Sequence, residues 1–291
     1  MSAPRPNPQA ERLRALLARG ELLMMPCCYD ALSARLIEQA GFELTFLSGF
    51  AAAASRLGAP DLGLMSYGEA LDQARNALGA VTIPMLADGD TGHGNPMNVM
   101  RTVEGFAQAG CAGVMIEDQV WPKRCGHVAG KAVVDRDEAF DRIRAAVETA
   151  RRHDILIMAR TDARRELGLA EAIARAQGFA EIGAELVFVE EPLSEPEMRR
   201  LCAEVPAPMV ANMLEGGQTP ILLPARLAEL GFAVAAYPLA ALSAAMQAMS
   251  ETLARLRAGE EHTAGLMPFG EMKERLGFDA YMATAARYDR D

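Results

Sequence analysis

The chain has 291 residues, 51% of them hydrophobic, and a formal net charge of −10. That length buries a large core and fits one α/β barrel of roughly 250 residues as a single domain. The acidic balance excludes a nucleic-acid surface or an anionic membrane as the main partner, but leaves room for a small anionic ligand held by a metal and a few Arg.

No apolar run reaches the ~18 residues of a membrane span, and the N-terminal stretch MSAPRPNPQAERLR has no apolar signal-peptide core. Five cysteines, at 27, 28, 111, 125 and 202, form no disulfide-like pattern and suit a reducing cytoplasm. Aromatic residues make up only 5%, so core volume must come from Ala, Leu, Val, Ile and the 17 Met.

In chain order, short apolar runs occupy 22–26, 44–48, 83–87, 113–117, 155–160, 186–190, 208–212 and 233–237. Helical patterns such as 30–40, 98–109 and 136–153 separate them. Strands alternating with helices imply a parallel sheet, and eight such units predict a closed (β/α)₈ barrel of the TIM type. Most runs end in a polar residue: Ser48, Asp88, Glu117, Arg160, Glu190, Asn212. Strand C-terminal ends face the active site of such a barrel, so acids, a base and an amide converge on one rim. Beyond 239, residues 240–257 read as a long Ala/Met-rich helix and 270–291 as one or two short ones. A helix apolar around much of its surface packs against something extra, and a second subunit is the natural candidate.

The rim carries a metal-like constellation. In Asp88-Gly89-Asp90-Thr91-Gly92-His93-Gly94, two carboxylates two residues apart leave the third strand through a glycine turn. Glu117-Asp118 ends the next strand, and Asp61, in a Pro-Asp-Leu-Gly loop, can reach the same place. Oxygen donors of this kind suit Mg²⁺, which takes one or two carboxylates and keeps several waters. Among such hard donors, His93 is read as structural rather than as a ligand.

A second motif, Lys123-Arg124-Cys125-Gly126-His127, follows Glu117. Two cations and a His beside a thiol favour the thiolate, and a thiol so tuned can hand a proton to a carbanion. The other four cysteines sit in apolar contexts and read as core.

Ser48-Gly49-Phe50, Asp88-x-Asp90-Thr-Gly, Ile116-Glu-Asp-Gln119, Lys123-Arg-Cys-Gly-His127, Ala159-Arg-Thr-Asp162 and Asn212-Met-Leu-Glu-Gly-Gly217 resemble the isocitrate lyase / phosphoenolpyruvate mutase superfamily, from about Pro26 to the C-terminus. The resemblance implies a barrel whose eighth helix swaps between subunits, with 240–291 forming that helix and a C-terminal extension, in homodimers or homotetramers. It implies Mg²⁺, with Mn²⁺ as the alternative ion, at Asp88 and Asp90, and Asp61 and Glu117 reached largely through water. Backbone amides of Ser48, Gly49 and Phe50 would hold a 2-oxo-acid or 2-hydroxy-acid end, with Arg160 pairing its carboxylate. Glu190 and Asn212 would line the other end. Gly126, His127 and the loop around Cys125 would close over the substrate.

Within the superfamily, the cysteine loop resembles the carbon–carbon lyases rather than the mutases. Three departures separate the chain from 2-methylisocitrate lyase: Phe46 in place of a Tyr, and Ser243 and Phe269 where arginines are expected. Losing two cations should exclude a third carboxylate, since an unpaired buried carboxylate is costly, unless Arg124 or Lys131 compensates. The Glu-Gly-Gly-Gln-Thr-Pro and Met-Pro-Phe-Gly-Glu-Met-Lys stretches resemble the 2,3-dimethylmalate lyase and petal-death-protein branch. The expected reaction splits a 2-alkylmalate into a 2-oxo acid and a short carboxylate, with Cys125 as proton donor and Tyr29 or a metal-bound hydroxide as base. An oxaloacetate decarboxylase or hydrolase ranks behind it, because Pro238 stands where the hydrolases are expected to carry Ser. A 2-methylisocitrate lyase with rewired anion contacts and a non-catalytic metabolite-binding barrel complete the alternatives.

Overall fold

The computed structural model describes residues 6–123 and 132–288. Eight parallel strands form a closed barrel in sequence order: β1 Leu23–Cys28, β2 Thr45–Leu47, β3 Met85–Asp88, β4 Gly113–Glu117, β5 Leu156–Thr161, β6 Leu186–Val189, β7 Met209–Asn212 and β8 Val234–Tyr237. Strand β1 pairs β8 in the register Leu23↔Val234 to Pro26↔Tyr237, which closes the ring. Every strand coincides with one of the apolar runs to within a residue or two.

Alternation within each strand divides the core into two layers. Met25, Leu86, Met115, Leu156, Leu186 and Val234 belong to one cluster, inside the barrel. Met85, Ile116, Ile157, Val187 and Met209 belong to the other, packed against helices. That is why the strands read as continuous apolar runs.

The helices are α1 Pro8–Leu17, α2 Ala31–Gln39, α3 Gly49–Leu57, α4 Tyr67–Leu78, α5 Pro96–Ala109, α6 Arg136–His153, α7 Ala163–Leu167, α8 Leu169–Ile182, α9 Glu195–Glu204, α10 Pro224–Leu230, α11 Ala240–Ala258, α12 Phe269–Leu276 and α13 Phe278–Ala285. Capping residues set several starts. Asp30, Ser66 and Asn95 each close a capping box on α2, α4 and α5, satisfying backbone donors that a first turn leaves open.

Helix α1 plugs the floor of the barrel. Its Ala10, Leu13 and Leu16 join the interior cluster. Asn7 caps it, accepting from the Gln9 and Ala10 amides, while its Nδ2 donates to Cys111 O at 2.8 Å, just before β4. Arg14 pairs with Asp154, before β5, and Glu185, before β6, both at 2.7 Å. These anchors lie at strand N-termini, so the opposite rim stays open.

The chain separates into two compact units, Met1–Leu242 and Ser243–Asp291. In the second, Gly277 (φ 79°) caps α12 in the left-handed region and starts α13. Met246, Met249, Leu253, Phe269, Tyr281 and Met282 are exposed there. Among the described residues, no helix is long and apolar enough to cross a membrane.

Candidate active site

A cleft of about 680 Å³, including its open mouth, sits within the C-terminal rim. Its polar wall includes Ser48, Asp61, Asp88, Glu117, Arg160, Glu190 and Asn212, together with Lys123. Strand ends deliver most of these side chains. The register Glu117↔Arg160 sets an acid and a base side by side on β4 and β5, and Glu190 follows β6 directly.

The acidic corner is tightly built. Asp88 Oδ1 accepts from the Asp90 amide at 2.9 Å, and its Oδ2 accepts from the Gly49 amide at 3.3 Å. Asp90 O accepts from the Glu117 amide at 2.9 Å, joining the loop to β4. Asp90 itself holds a left-handed backbone (φ 49°), a strained conformation that Asp tolerates better than most side chains and that clusters at functional sites. Burial, followed by the charge of Asp90, pushes the Asp88 carboxyl up to about 6. Burial also drives Glu117 well above the usual carboxylate range, against the pull of Arg160 and Lys123.

Lys123 is the residue that the sequence did not place. Its Nζ lies 2.8 Å from Asp61 Oδ2 and 2.7 Å from Asp90 Oδ1, almost fully buried. Burial works against the ammonium, but Asp90, Asp88, Glu117 and Asp61 together hold its pKa well above the ordinary value. The sequence showed Lys123 only as a neighbour of Cys125; its true partner Asp61 lies 62 residues earlier.

The donor set fits a hard divalent cation. Four carboxylates, Asp61, Asp88, Asp90 and Glu117, surround one ammonium, and Glu117 Oε1 is buried without a hydrogen-bond partner. Among the described residues, no group of three or more His, Cys, Asp or Glu side chains is arranged to hold a metal ion; Lys123 stands between Asp61 and Asp90 instead.

Beside this corner, Arg160 is gripped by Asp162 through Nε (2.8 Å) and Nη2 (3.0 Å). It also approaches Glu190 at 3.0 Å and Glu117 at 3.4 Å. Its guanidinium lies 5.0 Å from the centroid of the Phe188 ring, within cation–π range. Asn212 Nδ2 donates to Glu190 Oε1 at 3.1 Å. The remaining wall is apolar: Phe46, Phe50, Leu214, Pro238 and Leu239 among others.

Ser48 caps α3, accepting from the Ala51 amide at 3.3 Å, and thereby aims the first amides of that helix at the rim. Gly49 is required there, since a Cβ would stand 2.5 Å from Asp88 Oδ2. His93 packs between Tyr67 and Trp121, with ring centroids 5.7 and 6.0 Å away. Cys27 and Cys28 are buried, and burial raises both thiols.

Tyr29 is one of the two candidate bases. It follows β1, but it is not among the described residues lining the cleft. Burial and the adjacent Asp30 raise its phenol, the wrong direction for a base at neutral pH. Cys125, Gly126 and His127, with Arg124 and Lys131, lie outside the described residues.

Residues 13–257 match the family profile described as phosphoenolpyruvate phosphomutase. The chain is 39% identical to 2,3-dimethylmalate lyase of Eubacterium barkeri over 274 residues, 93% of this chain and 94% of that one. Oxaloacetate acetylhydrolase in complex with 3,3-difluorooxalacetate superposes with a TM-score of 0.92 at 37% identity, covering 97% and 98% of the two chains. Phosphonopyruvate hydrolase in complex with oxalate and Mg²⁺ superposes at 0.85 with 31% identity, covering 96% and 99%. The chain therefore belongs to the phosphoenolpyruvate phosphomutase family, within the superfamily that includes isocitrate lyase, and it is an enzyme of the lyase and mutase kind that this family groups.

Proposed function

We propose that the chain is a Mg²⁺-dependent carbon–carbon lyase that cleaves a 2-alkylmalate-type dicarboxylate, of the 2,3-dimethylmalate kind, into a 2-oxo acid and a short carboxylate. The observation that carries this reading is the division of one cleft into a carboxylate corner, an adjacent Arg160 and an apolar wall. Among the described residues lining the cleft, the cations are Lys123 and Arg160, and Lys123 is engaged by Asp61 and Asp90. That supply suits a dicarboxylate whose alkyl groups meet Phe46, Leu214, Pro238 and Leu239. It suits a tricarboxylate poorly, because among the described residues a third buried carboxylate would lack a partner.

Asp61, Asp88, Asp90 and Glu117 would hold the ion. When bound, Mg²⁺ supplies a Lewis acid for the C2 hydroxyl and carboxylate oxygens. Arg160, fixed by Asp162, orients the carboxylate beside the ion, and the amides at the start of α3 hold the same end. Glu190 and Asn212 line the far side. An ionised carboxylate of the acidic corner accepts the C2 hydroxyl proton, the C2–C3 bond breaks, and C2 becomes the carbonyl of the 2-oxo acid. The bonding pair passes to C3 and its carboxylate, and C3 takes a proton from Cys125. The apolar wall keeps water from that carbanion.

In solution we propose a homodimer or homotetramer in which 240–291 supplies the exchanged helix and extension of one barrel domain. The exposed apolar side chains of α11 to α13 support this.

Substrate loss and product formation, followed by NMR, from 2,3-dimethylmalate, other 2-alkylmalates, 2-methylisocitrate, oxaloacetate and phosphonopyruvate, with Mg²⁺ or EDTA, test the reading. Turnover of the 2-alkylmalates that EDTA abolishes is expected. Preference for the tricarboxylate would overturn it, and preference for oxaloacetate would favour the hydrolase that superposes so closely.

A further inference from the structure

Arg175 on α8 is among the largest fully buried side chains, at 2% exposure, and nothing in the cleft requires it. Its Nη1 donates to Asp118 Oδ2 at 3.0 Å, and its Nε donates to Glu171 Oε1 at 2.9 Å. Asp118 stands one residue beyond Glu117 and is equally buried. Its side chain faces the end of β5: Oδ2 accepts from Thr161 Oγ1 at 2.6 Å, and Oδ1 from the Asp162 amide at 2.9 Å. Asp162 in turn holds Arg160 by two parallel hydrogen bonds, a geometry that fixes direction as well as distance. An unbroken series of contacts thus runs from α8 to the guanidinium at the cleft.

We propose that the buried Asp118–Arg175 pair is a positioning device for Arg160: Arg175 compensates Asp118, Asp118 pins the turn at Thr161 and Asp162, and Asp162 aims the guanidinium at the substrate carboxylate. The charges explain why both partners are needed. Asp118 and Asp162 are neighbouring buried carboxylates, linked through the Asp162 amide, and their like charges repel. Arg175 offsets the first and Arg160 the second. Without Arg175, Asp118 Oδ2 loses the guanidinium that it shares with Thr161 Oγ1, and its buried charge loses its partner, which loosens its hold on Thr161 and Asp162. The opposite reading is a core salt bridge that stabilises the barrel without reaching the site. The proposal rests on the assignment of Arg160 to the substrate carboxylate.

The test uses the full chain with Mg²⁺, and oxalate as the probe for the 2-oxo-acid end. Oxalate affinity is measured by calorimetry for the unaltered protein, Asp118→Asn, Arg175→Met and the double variant, together with Tm. Removing one partner of a buried pair strands the other, whereas removing both does not. Arg175→Met is therefore expected to bind oxalate at least about tenfold more weakly, with the double variant recovering most of that loss. A crystal structure of Arg175→Met should show Arg160 displaced from its fork on Asp162. Unchanged oxalate affinity in both single variants, with only Tm lowered, would overturn the proposal, as would an undisplaced Arg160. If the unaltered protein binds no oxalate, the assignment of the cleft fails, and the position of Arg160 in that crystal structure still decides whether the relay exists.

Discussion

Lys123 Nζ lies 2.7 Å from Asp90 Oδ1, and the same ammonium reaches Asp61 at 2.8 Å. The carboxylate corner therefore carries an internal counter-charge. Lys123→Met would leave several buried carboxylates uncompensated, a change that costs about 3–5 kcal/mol when one partner of a buried pair is lost. The expected result is a lower Tm in EDTA and a larger upward shift of Tm on adding Mg²⁺ than the unaltered protein shows. Equal Mg²⁺ shifts in the two proteins would count against this role.

Gly49 leaves no room for a side chain, because a Cβ there would meet Asp88 Oδ2 at 2.5 Å. Gly49→Ala must displace Asp88 or the start of α3. We expect kcat/KM to fall at least ~100-fold, the scale on which a misplacement of about 1 Å acts, with a stability loss of only about 1–3 kcal/mol for the overpacking. Steady-state kinetics and urea unfolding of the same preparation separate the two effects.

The floor of the barrel should behave in the opposite way. Leu13 is fully buried and lies in the interior cluster with Leu23, Met25 and Leu156. Leu13→Ala should cost about 2–5 kcal/mol and leave kcat within about twofold, since α1 closes the face away from the cleft. Denaturant midpoints and turnover at low temperature check both halves of that statement.

Acid should loosen the same floor. Burial alone would raise the Asp154 carboxyl, but the Asn7 amide and the Arg14 guanidinium outweigh it and hold Asp154 below its ordinary value. A depressed folded pKa contributes stability that is present above the unfolded pKa and is lost as pH falls through the folded one. Asp154→Asn should therefore be less stable than the parent near pH 7, with the gap closing below about pH 4. Thermal unfolding across pH 3–7 reads this directly, and a constant gap would remove Asp154 from the account.

The barrel was legible because its strands are buried on both faces, so apolar runs such as 113–117 stand out and match β4 residue for residue. The rim was legible for a related reason: Asp88, Glu117, Arg160, Glu190 and Asn212 each follow or end such a run. What escaped was non-local. Helix α1 is short, and its apolar residues have meaning only against a floor contributed by many strands. Lys123 was visible as a neighbour of Cys125 but not as the partner of Asp61. Arg175 sits in an ordinary helical pattern, 57 residues from Asp118.

The central claim is that this cleft cleaves a dicarboxylate with an alkyl substituent and rejects a tricarboxylate. The most direct measurement is a competition in one tube: 2,3-dimethylmalate, 2-methylisocitrate and oxaloacetate at equal concentration with Mg²⁺, followed by NMR. Depletion of 2,3-dimethylmalate at least about tenfold faster than either competitor, a discrimination of roughly 1.4 kcal/mol, is the predicted result. Faster loss of 2-methylisocitrate or of oxaloacetate would contradict it.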